Sequence, residues 1–191
     1  GQYNTLIGGL AGDALTTADH NVSLGISTLT TNTKANKNVA IGSNALSTFN
    51  VTSDTDTYNT AVGDSAGAAV TTGVDNTLIG GPAGDAITDA DYNVALGNSA
   101  LGANTVGSKN TAIGSSALLV MNPASAADTL NTAVGYHAGR LVSTGVENTL
   151  IGASAGDAPP VDIAPPDFGI SFLISSFVSF NSSCNSSNNV K

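Results

Sequence analysis

Short apolar segments recur along the chain at a nearly constant interval, separated by longer polar stretches. Each segment starts with Asn, continues with Thr or Val, and ends with an aliphatic residue followed by Gly. Nine copies align without a gap, at spacings of 17 or 21 residues, and a longer repeat of four copies is superimposed. The leading residues are Asn4, Asn21, Asn38, Asn59, Asn76, Asn93, Asn110, Asn131 and Asn148. This periodicity is typical of a repeat protein.

Each Asn-to-Gly segment has the composition of a short strand that ends in a turn. Thr, Val and Ile favour extended backbone, and Gly permits the sharp turn that follows. No apolar stripe of helical period continues between the segments. One 17-residue unit cannot bury its own apolar side, so the units must stack. The sequence therefore predicts an all-β fold, a parallel β-solenoid of nine 17- or 21-residue coils with a C-terminal extended strand.

Stacking converts every position of the repeat into a file of side chains that climbs the rod. We expect the nine leading asparagines to form a ladder in which each amide bonds to the next. We expect the fourth position to form the core ladder, which comprises Ile7, Leu24, Ile41, Val62, Ile79, Leu96, Ile113, Val134 and Ile151. The third position then faces outward as an apolar stripe, available for self-association. The alternative is a flattened coil whose second strand covers that side.

The repeat divides the chain into three parts. Residues 1–157 form the solenoid domain, residues 158–167 a Pro-rich linker, and residues 168–191 a strand with an Asn- and Ser-rich tail. The two insertions, at residues 49–58 and 121–130, are expected to bulge from one side. In the tail, a strand with one apolar side either caps the last coil or pairs with a neighbouring subunit. Its candidate self-association residues are Phe168, Ile170, Phe172, Ile174, Val178 and Phe180.

Composition excludes several classes of function. The formal net charge is −9 with only five basic residues, which disfavours binding to nucleic acid. No apolar run reaches the roughly 18 residues of a membrane span. The single Cys allows neither an internal disulfide nor a thiolate metal cluster, and we predict no cofactor and no metal.

Catalytic motifs occur only as by-products of the repeat. Residues 63–67 and 152–156 match the G-x-S-x-G pattern of a nucleophile elbow, but the repeat position of the Ser holds His137 in another coil. Two G-G-x-A-G-D segments depart from the spacing of calcium-binding nonapeptides. We therefore predict no catalytic residue and no enzyme activity. Asn50, Asn181 and Asn185 lie in sequons and are candidate acceptors of N-linked glycan.

The repeats also resemble a known family. NVAIGSNAL, NVALGNSAL and NTAIGSSAL resemble the head repeats of trimeric autotransporter adhesins, the group that includes the Yersinia adhesin. NTAVGYHAG is similar to repeats of tail-fibre and surface-fibre proteins of phages and bacteria. The resemblance covers residues 4 to about 157. It implies a left-handed parallel β-roll, three chains packed side by side, and a role in attachment.

Together these observations predict a non-enzymatic fibre module, extracellular or on a cell or virion surface. The module is expected to self-associate as a homotrimer and to bind a surface glycan or matrix receptor, with no nucleic acid and no membrane span. The alternative is a glycosylated structural subunit of an extracellular filament, which polymerises end to end with strand exchange.

Overall fold

The computed structural model describes residues 1–157 and 172–174, and within them it contains strands and turns but no helix. Nine three-residue strands lie one in each repeat, and four two-residue strands lie beside the insertions. The strands are β1 (Thr5–Ile7), β2 (Val22–Leu24), β3 (Ala35–Asn36), β4 (Val39–Ile41), β5 (Thr55–Asp56), β6 (Thr60–Val62), β7 (Thr77–Ile79), β8 (Val94–Leu96), β9 (Gly107–Ser108), β10 (Thr111–Ile113), β11 (Ala127–Asp128), β12 (Thr132–Val134), β13 (Thr149–Ile151) and β14 (Phe172–Ile174).

The repeat strands form one parallel sheet in which every strand pairs with the equivalent strand of the next coil. The order is β1-β2-β4-β6-β7-β8-β10-β12-β13-β14. Equivalent residues of successive repeats are paired, so that Ile41 lies opposite Val62 and Val62 opposite Ile79. The predicted parallel β-solenoid of nine coils is thereby confirmed. At a rung spacing of about 4.8 Å the nine coils extend for about 40 Å.

The tail strand belongs to the sheet of its own chain. β14 pairs in parallel with β13, so that Leu150 lies opposite Leu173. Of the candidate self-association residues, Phe172 and Ile174 lie in this intrachain strand. Pairing with the last coil is the arrangement that the sequence analysis described as a cap. The linker at residues 158–167 lies outside the described residues, and so do Phe168, Ile170, Val178 and Phe180.

The predicted orientation of the strands is wrong. The third position faces the interior, where it is buried in every coil except the first. The fourth position faces outward, and we call it the outer file: Ile7, Leu24, Ile41, Val62, Ile79, Leu96, Ile113, Val134 and Ile151. The leading Asn decides the orientation, because its amide must bond inside the coil and side chains alternate along a strand. The third position, not the fourth, is therefore the core file.

Small residues dominate the core because the coil is narrow. Where a coil holds Leu at one of two facing core positions, it holds a small residue at the other. Where the third position holds Leu, as at Leu78, the ninth position of that coil holds a glycine, Gly84. A Cβ added at Gly84 would come within 2.7 Å of Leu78 Cδ2. The fourth coil has small residues at both positions, and Leu46 and Leu78 from the flanking coils converge on its Gly67. Each leucine thus packs into space that a missing side chain leaves.

The glycine that follows each strand is required by close approach between coils. At Gly80, φ is +132° and an added Cβ would meet the Gly97 carbonyl carbon and oxygen at 2.7 Å. The same clash recurs at the equivalent glycines: for example, a Cβ added at Gly114 would overlap the carbonyl oxygen of Gly135 in the next coil. No side chain fits between backbones stacked this closely.

The nine leading asparagines form a continuous hydrogen-bonded ladder. Each Oδ1 accepts the backbone N–H of the next Asn, with N-to-O distances between 2.9 and 3.1 Å. In most steps it also accepts the next Nδ2, as between Asn76 and Asn93 at 3.2 Å. From Asn21 to Asn148 these side chains are buried, and the ladder satisfies their amide oxygens except at its end, where Asn148 Oδ1 has no partner among the described residues.

The insertions begin later than the sequence predicts. Phe49 and Met121, expected at the start of each bulge, are fully buried in the core. The exposed part of the first insertion ends in β5, which pairs in parallel with β3 of the preceding coil. The second insertion repeats this arrangement with β11 and β9. Each insertion is therefore a short excursion that rejoins the stack before the next repeat.

Candidate functional site

An uncharged face runs the length of the solenoid. The second and fourth positions of the repeat both face outward, and they contain only Thr, Val, Ile and Leu in all nine coils. The outer file forms one half of this face. The other half comprises Thr5, Val22, Val39, Thr60, Thr77, Val94, Thr111, Thr132 and Thr149. We call the two files together the outer face.

Several large side chains of the outer face are exposed. Ile7 is 58% exposed, Ile151 46%, and Leu24 and Leu96 each 41%. Because the strands pair in register, the outward side chains of each file form a straight row, in which successive side chains lie about 4.8 Å apart. Exposed apolar side chains in a continuous row are typical of surfaces that take part in association.

The residue before each leading Asn forms a second exposed row, which we call the tyrosine file. It holds Tyr3, His20, Lys37, Tyr58, Asp75, Tyr92, Lys109, Leu130 and Glu147. All nine adopt positive φ, between 49° and 62°. Three of the four tyrosines of the chain lie in this file, and each is at least half exposed.

Neighbouring members of the tyrosine file contact each other across successive coils. The rings of Tyr3 and His20 stack with centroids 4.8 Å apart, which equals one rung. Lys37 Nζ lies 5.2 Å from the centroid of the Tyr58 ring. Backbone hydrogen bonds hold the rungs in place, as from Tyr92 N to Val74 O at 3.1 Å.

Two lysines of this file hold the insertions. Lys37 Nζ lies 2.6 Å from Asp56 Oδ2, and the Tyr58 hydroxyl donates to the same oxygen at 3.1 Å. The hydrogen bond to Asp56, followed by that to Tyr58, raises the pKa of Lys37, and the hydrogen bond from Lys37 lowers the pKa of Asp56. At the equivalent place four coils later, Lys109 binds Asp128 at 2.5 Å, and this bond raises the pKa of Lys109.

The G-x-S-x-G segments lie in turns that follow strands and lead into further turns. An elbow requires a helix after the nucleophile, and the described residues contain none. Ser65 Oγ donates to the carboxylate of the adjacent Asp64 at 3.1 Å. His137 occupies the equivalent position four coils further along and stacks on Tyr136. Among the described residues, no histidine is hydrogen-bonded to Ser65 or Ser154.

The acidic side chains of the first insertion bond to neighbouring side chains of the preceding coil. Asn36 Nδ2 donates to Asp54 Oδ1 at 2.7 Å, and Asp56 binds Lys37. Among residues 1–157 and 172–174, no three His, Cys, Asp or Glu side chains are grouped to hold a metal ion. In the same residues no helix is long and apolar enough to cross a membrane.

The sequons differ in accessibility. Asn21 is buried within the asparagine ladder, whereas Asn50 is exposed. Asn50 Oδ1 accepts from the backbone N and Oγ1 of Thr33, at 3.1 and 2.8 Å. Asn181 and Asn185 lie outside the described residues.

Sequence reasoning missed the two exposed rows for identifiable reasons. It assigned the outer file to the core because large aliphatic residues usually lie inside, although the burial that an Asn ladder needs already fixes the alternation. It missed the tyrosine file because that position varies in chemistry from coil to coil. The signal was the concentration of three tyrosines at one repeat position in a chain with 5% aromatic residues.

Comparison with known proteins adds no relative: no family model, curated protein or solved structure matches this chain.

Proposed function

We propose that the protein is a non-enzymatic fibre module for attachment, extracellular or on a virion, whose solenoids associate side by side in threes. The outer face is the observation that carries this proposal. A rod about 40 Å long gains free energy when an uncharged face of this kind leaves water for a matching surface. The side chains of the outer face repeat once per rung, and the outer face of another copy of the chain has the same repeat distance. The outer faces of three copies are therefore matched in period along their whole length.

The attachment role follows from shape and surface. A stacked solenoid holds its exposed residues at a fixed distance from its point of anchorage, and no group of catalytic side chains in the described residues competes for the assignment. The resemblance to adhesin heads and phage fibres supports both the side-by-side arrangement and the location outside the cell. The filament alternative has less support, because β14 pairs with β13 of its own chain.

Lysine substitutions in the middle of the outer file test the association. Ile41→Lys, Ile79→Lys and Ile113→Lys together place three charges on the outer face without changing any core residue. We expect the wild type to have a solution mass of three times 18.7 kDa, and the triple variant to have the mass of a single chain. Light scattering coupled to size-exclusion chromatography measures both, and circular dichroism verifies that the variant remains folded.

The matched control adds the same charge elsewhere. Thr17→Lys, Thr72→Lys and Ser125→Lys alter exposed residues outside the outer face and should leave the wild-type mass unchanged. A wild type that is monomeric at all concentrations would contradict the proposal, and so would a triple variant that is folded and still associates.

A further inference from the structure

The centre of the tyrosine file is a symmetric row of rings and charges. Over five successive rungs it reads Lys37, Tyr58, Asp75, Tyr92 and Lys109. Tyr58 is 50% exposed and Tyr92 55%. Neither tyrosine belongs to the buried core. Tyr58 also contacts Lys37 and Asp56 within the chain, but about half of each ring remains open to a ligand.

The backbone positions of the two tyrosines have a fixed separation. They are two rungs apart, with the rung of Asp75 between them, which corresponds to about 10 Å along the rod. The backbone around them is tied to adjacent coils by hydrogen bonds from Asp75 N to Thr57 O at 2.8 Å and from Tyr92 N to Val74 O at 3.1 Å. A ligand that spans both rings therefore binds a surface that is already ordered, which reduces the entropic cost of binding.

The chemistry of the row suits an extended sugar chain. A tyrosine ring offers an apolar face for the C–H face of a sugar and a hydroxyl at its edge. The carboxylate of Asp75, between the rings, accepts hydrogen bonds from sugar hydroxyls, and the lysines at either end donate them. A linear polymer is the partner that presents sugar rings at regular intervals along a straight row.

Charge narrows the class of polymer. The chain carries a net charge of −9, and Lys37 and Lys109 are already paired with Asp56 and Asp128. Polyanionic polysaccharides are therefore repelled, whereas neutral ones are not.

We propose that Tyr58 and Tyr92, with Asp75 between them, form a binding site for a neutral, extended β-linked polysaccharide. This proposal rests on the attachment function proposed above and names the class of receptor. The outer face associates copies of the chain, and the tyrosine file contacts the glycan.

Titration of the intact protein with soluble β-1,4-linked hexasaccharides of glucose and of N-acetylglucosamine tests the site. Isothermal calorimetry should detect binding of at least one of them, and Tyr58→Ala with Tyr92→Ala should weaken it on the order of tenfold or more. Tyr58→Phe with Tyr92→Phe keeps both rings and should retain most of the affinity. Tyr136→Ala removes an equally exposed tyrosine outside the file and serves as the matched control.

Each outcome separates this proposal from the proposed association. Binding of neither hexasaccharide at millimolar concentration, or equal binding by the double alanine variant, overturns the glycan site even if the solution mass stays that of an oligomer. Tighter binding of heparin than of the neutral sugars also overturns it. A double alanine variant that loses association instead of sugar affinity shows that the file is an interface between copies, which again rejects the glycan site.

Discussion

At the residue scale, the asparagine ladder is the main polar element of the interior. Asn76 Oδ1 accepts from the backbone N and Nδ2 of Asn93, at 3.0 and 3.2 Å, and its own Nδ2 donates to Ala90 O at 2.9 Å. Each asparagine therefore links its own coil to the next. A ladder of this kind stabilises the stack only while it is complete, because a gap leaves buried donors and acceptors without partners.

Asn76→Ala tests this dependence. We expect a loss of about 2–4 kcal/mol in the free energy of unfolding, since the substitution leaves Asn93 N and Ala90 O buried and unpaired. Urea denaturation followed by circular dichroism measures the change. Asn98→Ala, at an exposed position, should change the midpoint little. Equal effects of the two substitutions would show that the ladder contributes no more than a surface amide.

Adjacent glycines offer a sharper contrast. Gly80→Ala places a Cβ 2.7 Å from the Gly97 carbonyl carbon and oxygen, at a φ of +132°, whereas the nearest atom to a Cβ at Gly81 is 3.4 Å away, on the Asn98 side chain. We expect Gly80→Ala to cost more than about 3 kcal/mol and Gly81→Ala to stay within about 1 kcal/mol of the wild type. Thermal denaturation of both variants provides the comparison. A Gly80→Ala protein as stable as the wild type would mean that the coils can separate at this point.

Asp85 should make stability depend on pH. Burial raises the pKa of this carboxyl above its ordinary value of 3.8, so the folded chain binds the proton more tightly than the unfolded chain. The ionised carboxylate therefore destabilises the fold at pH values above the raised pKa, and this cost disappears as pH falls below 3.8. We expect Asp85→Asn to raise the melting temperature at pH 7, with the gain shrinking towards pH 3.

Asp89→Asn is the control for that experiment, because it removes the same formal charge from an exposed residue. A gain for Asp85→Asn that does not exceed the control at pH 7, or that persists undiminished in acid, would contradict the assignment to burial.

At the scale of the element, the insertions show how an irregular coil rejoins a regular ladder. After the first insertion, Asn59 Nδ2 turns to Gly73 O at 2.8 Å, and the buried Thr57 hydroxyl donates to Asn38 Oδ1 at 2.9 Å in its place. The hydroxyl of Thr129 donates to Asn110 Oδ1 in the same way four coils later, at 2.8 Å. The hydroxyl thus replaces one amide bond where the coil length changes.

Thr57→Val removes that hydroxyl while conserving shape. We expect the free energy of unfolding to fall by about 1–2 kcal/mol, because Asn38 Oδ1 loses a donor inside the core. Thr55→Val, in the exposed part of the same insertion, should have a much smaller effect on urea denaturation. A Thr57→Val variant that matches Thr55→Val would show that the neighbouring Asn59 amide restores the missing bond.

The elements were predictable from sequence to different degrees. Strand, turn and stacking register follow from local signals: nine aligned segments, β-branched residues, and a glycine at one position. The face that each strand buries follows less directly, because Ala40 and Ile41 are both apolar and the choice between them depends on recognising that Asn38 is buried. The buried Phe49 was missed for a similar reason, since only the three-dimensional stack shows that its position belongs to the core.

The candidate site was less predictable than the fold. A file of exposed residues has no periodic signal when its members are Tyr, Lys and Asp in turn. Its coherence arises only when coils bring Lys37 over the Tyr58 ring. The outer face was anticipated as an apolar stripe suited to association, but was assigned to the wrong position of the repeat.

At the scale of the whole molecule, the packing rule makes a block of four coils the natural unit of length. Leu46 and Leu78 both pack against Gly67, and Leu118 and Leu150 both pack against Gly139. These contacts recur after four coils and not after one. A coil that carries glycine at its ninth position without Leu at its third therefore acts as a spacer between leucines from either side.

Two deletions test this rule, and the longer one should be the milder. Removing residues 76–147, a block of four coils, joins the fourth coil to the ninth and sets Leu150 against Gly67, as Leu150 already packs against Gly139, where an added Cβ would lie 2.7 Å from Leu150 Cδ1. Removing residues 59–75 deletes one coil together with Gly67, and it brings Leu46 and Leu78, which now share the space beside Gly67, into adjacent coils without that space. We expect the first variant to unfold cooperatively with a reduced m-value, and the second to lose about 1–3 kcal/mol through overpacking.

Urea denaturation of both variants decides the matter, with Leu78→Ala added to the shorter deletion as a rescue. Relief of the overpacking should return part of the lost stability, although the same substitution in the wild-type chain creates a cavity and costs about 2–5 kcal/mol. If Leu78→Ala destabilises the wild-type chain but stabilises the chain that lacks residues 59–75, the effect of the substitution depends on the neighbouring coils and not on leucine burial alone. If Leu78→Ala is destabilising in both, coils are interchangeable and the four-coil block has no packing basis.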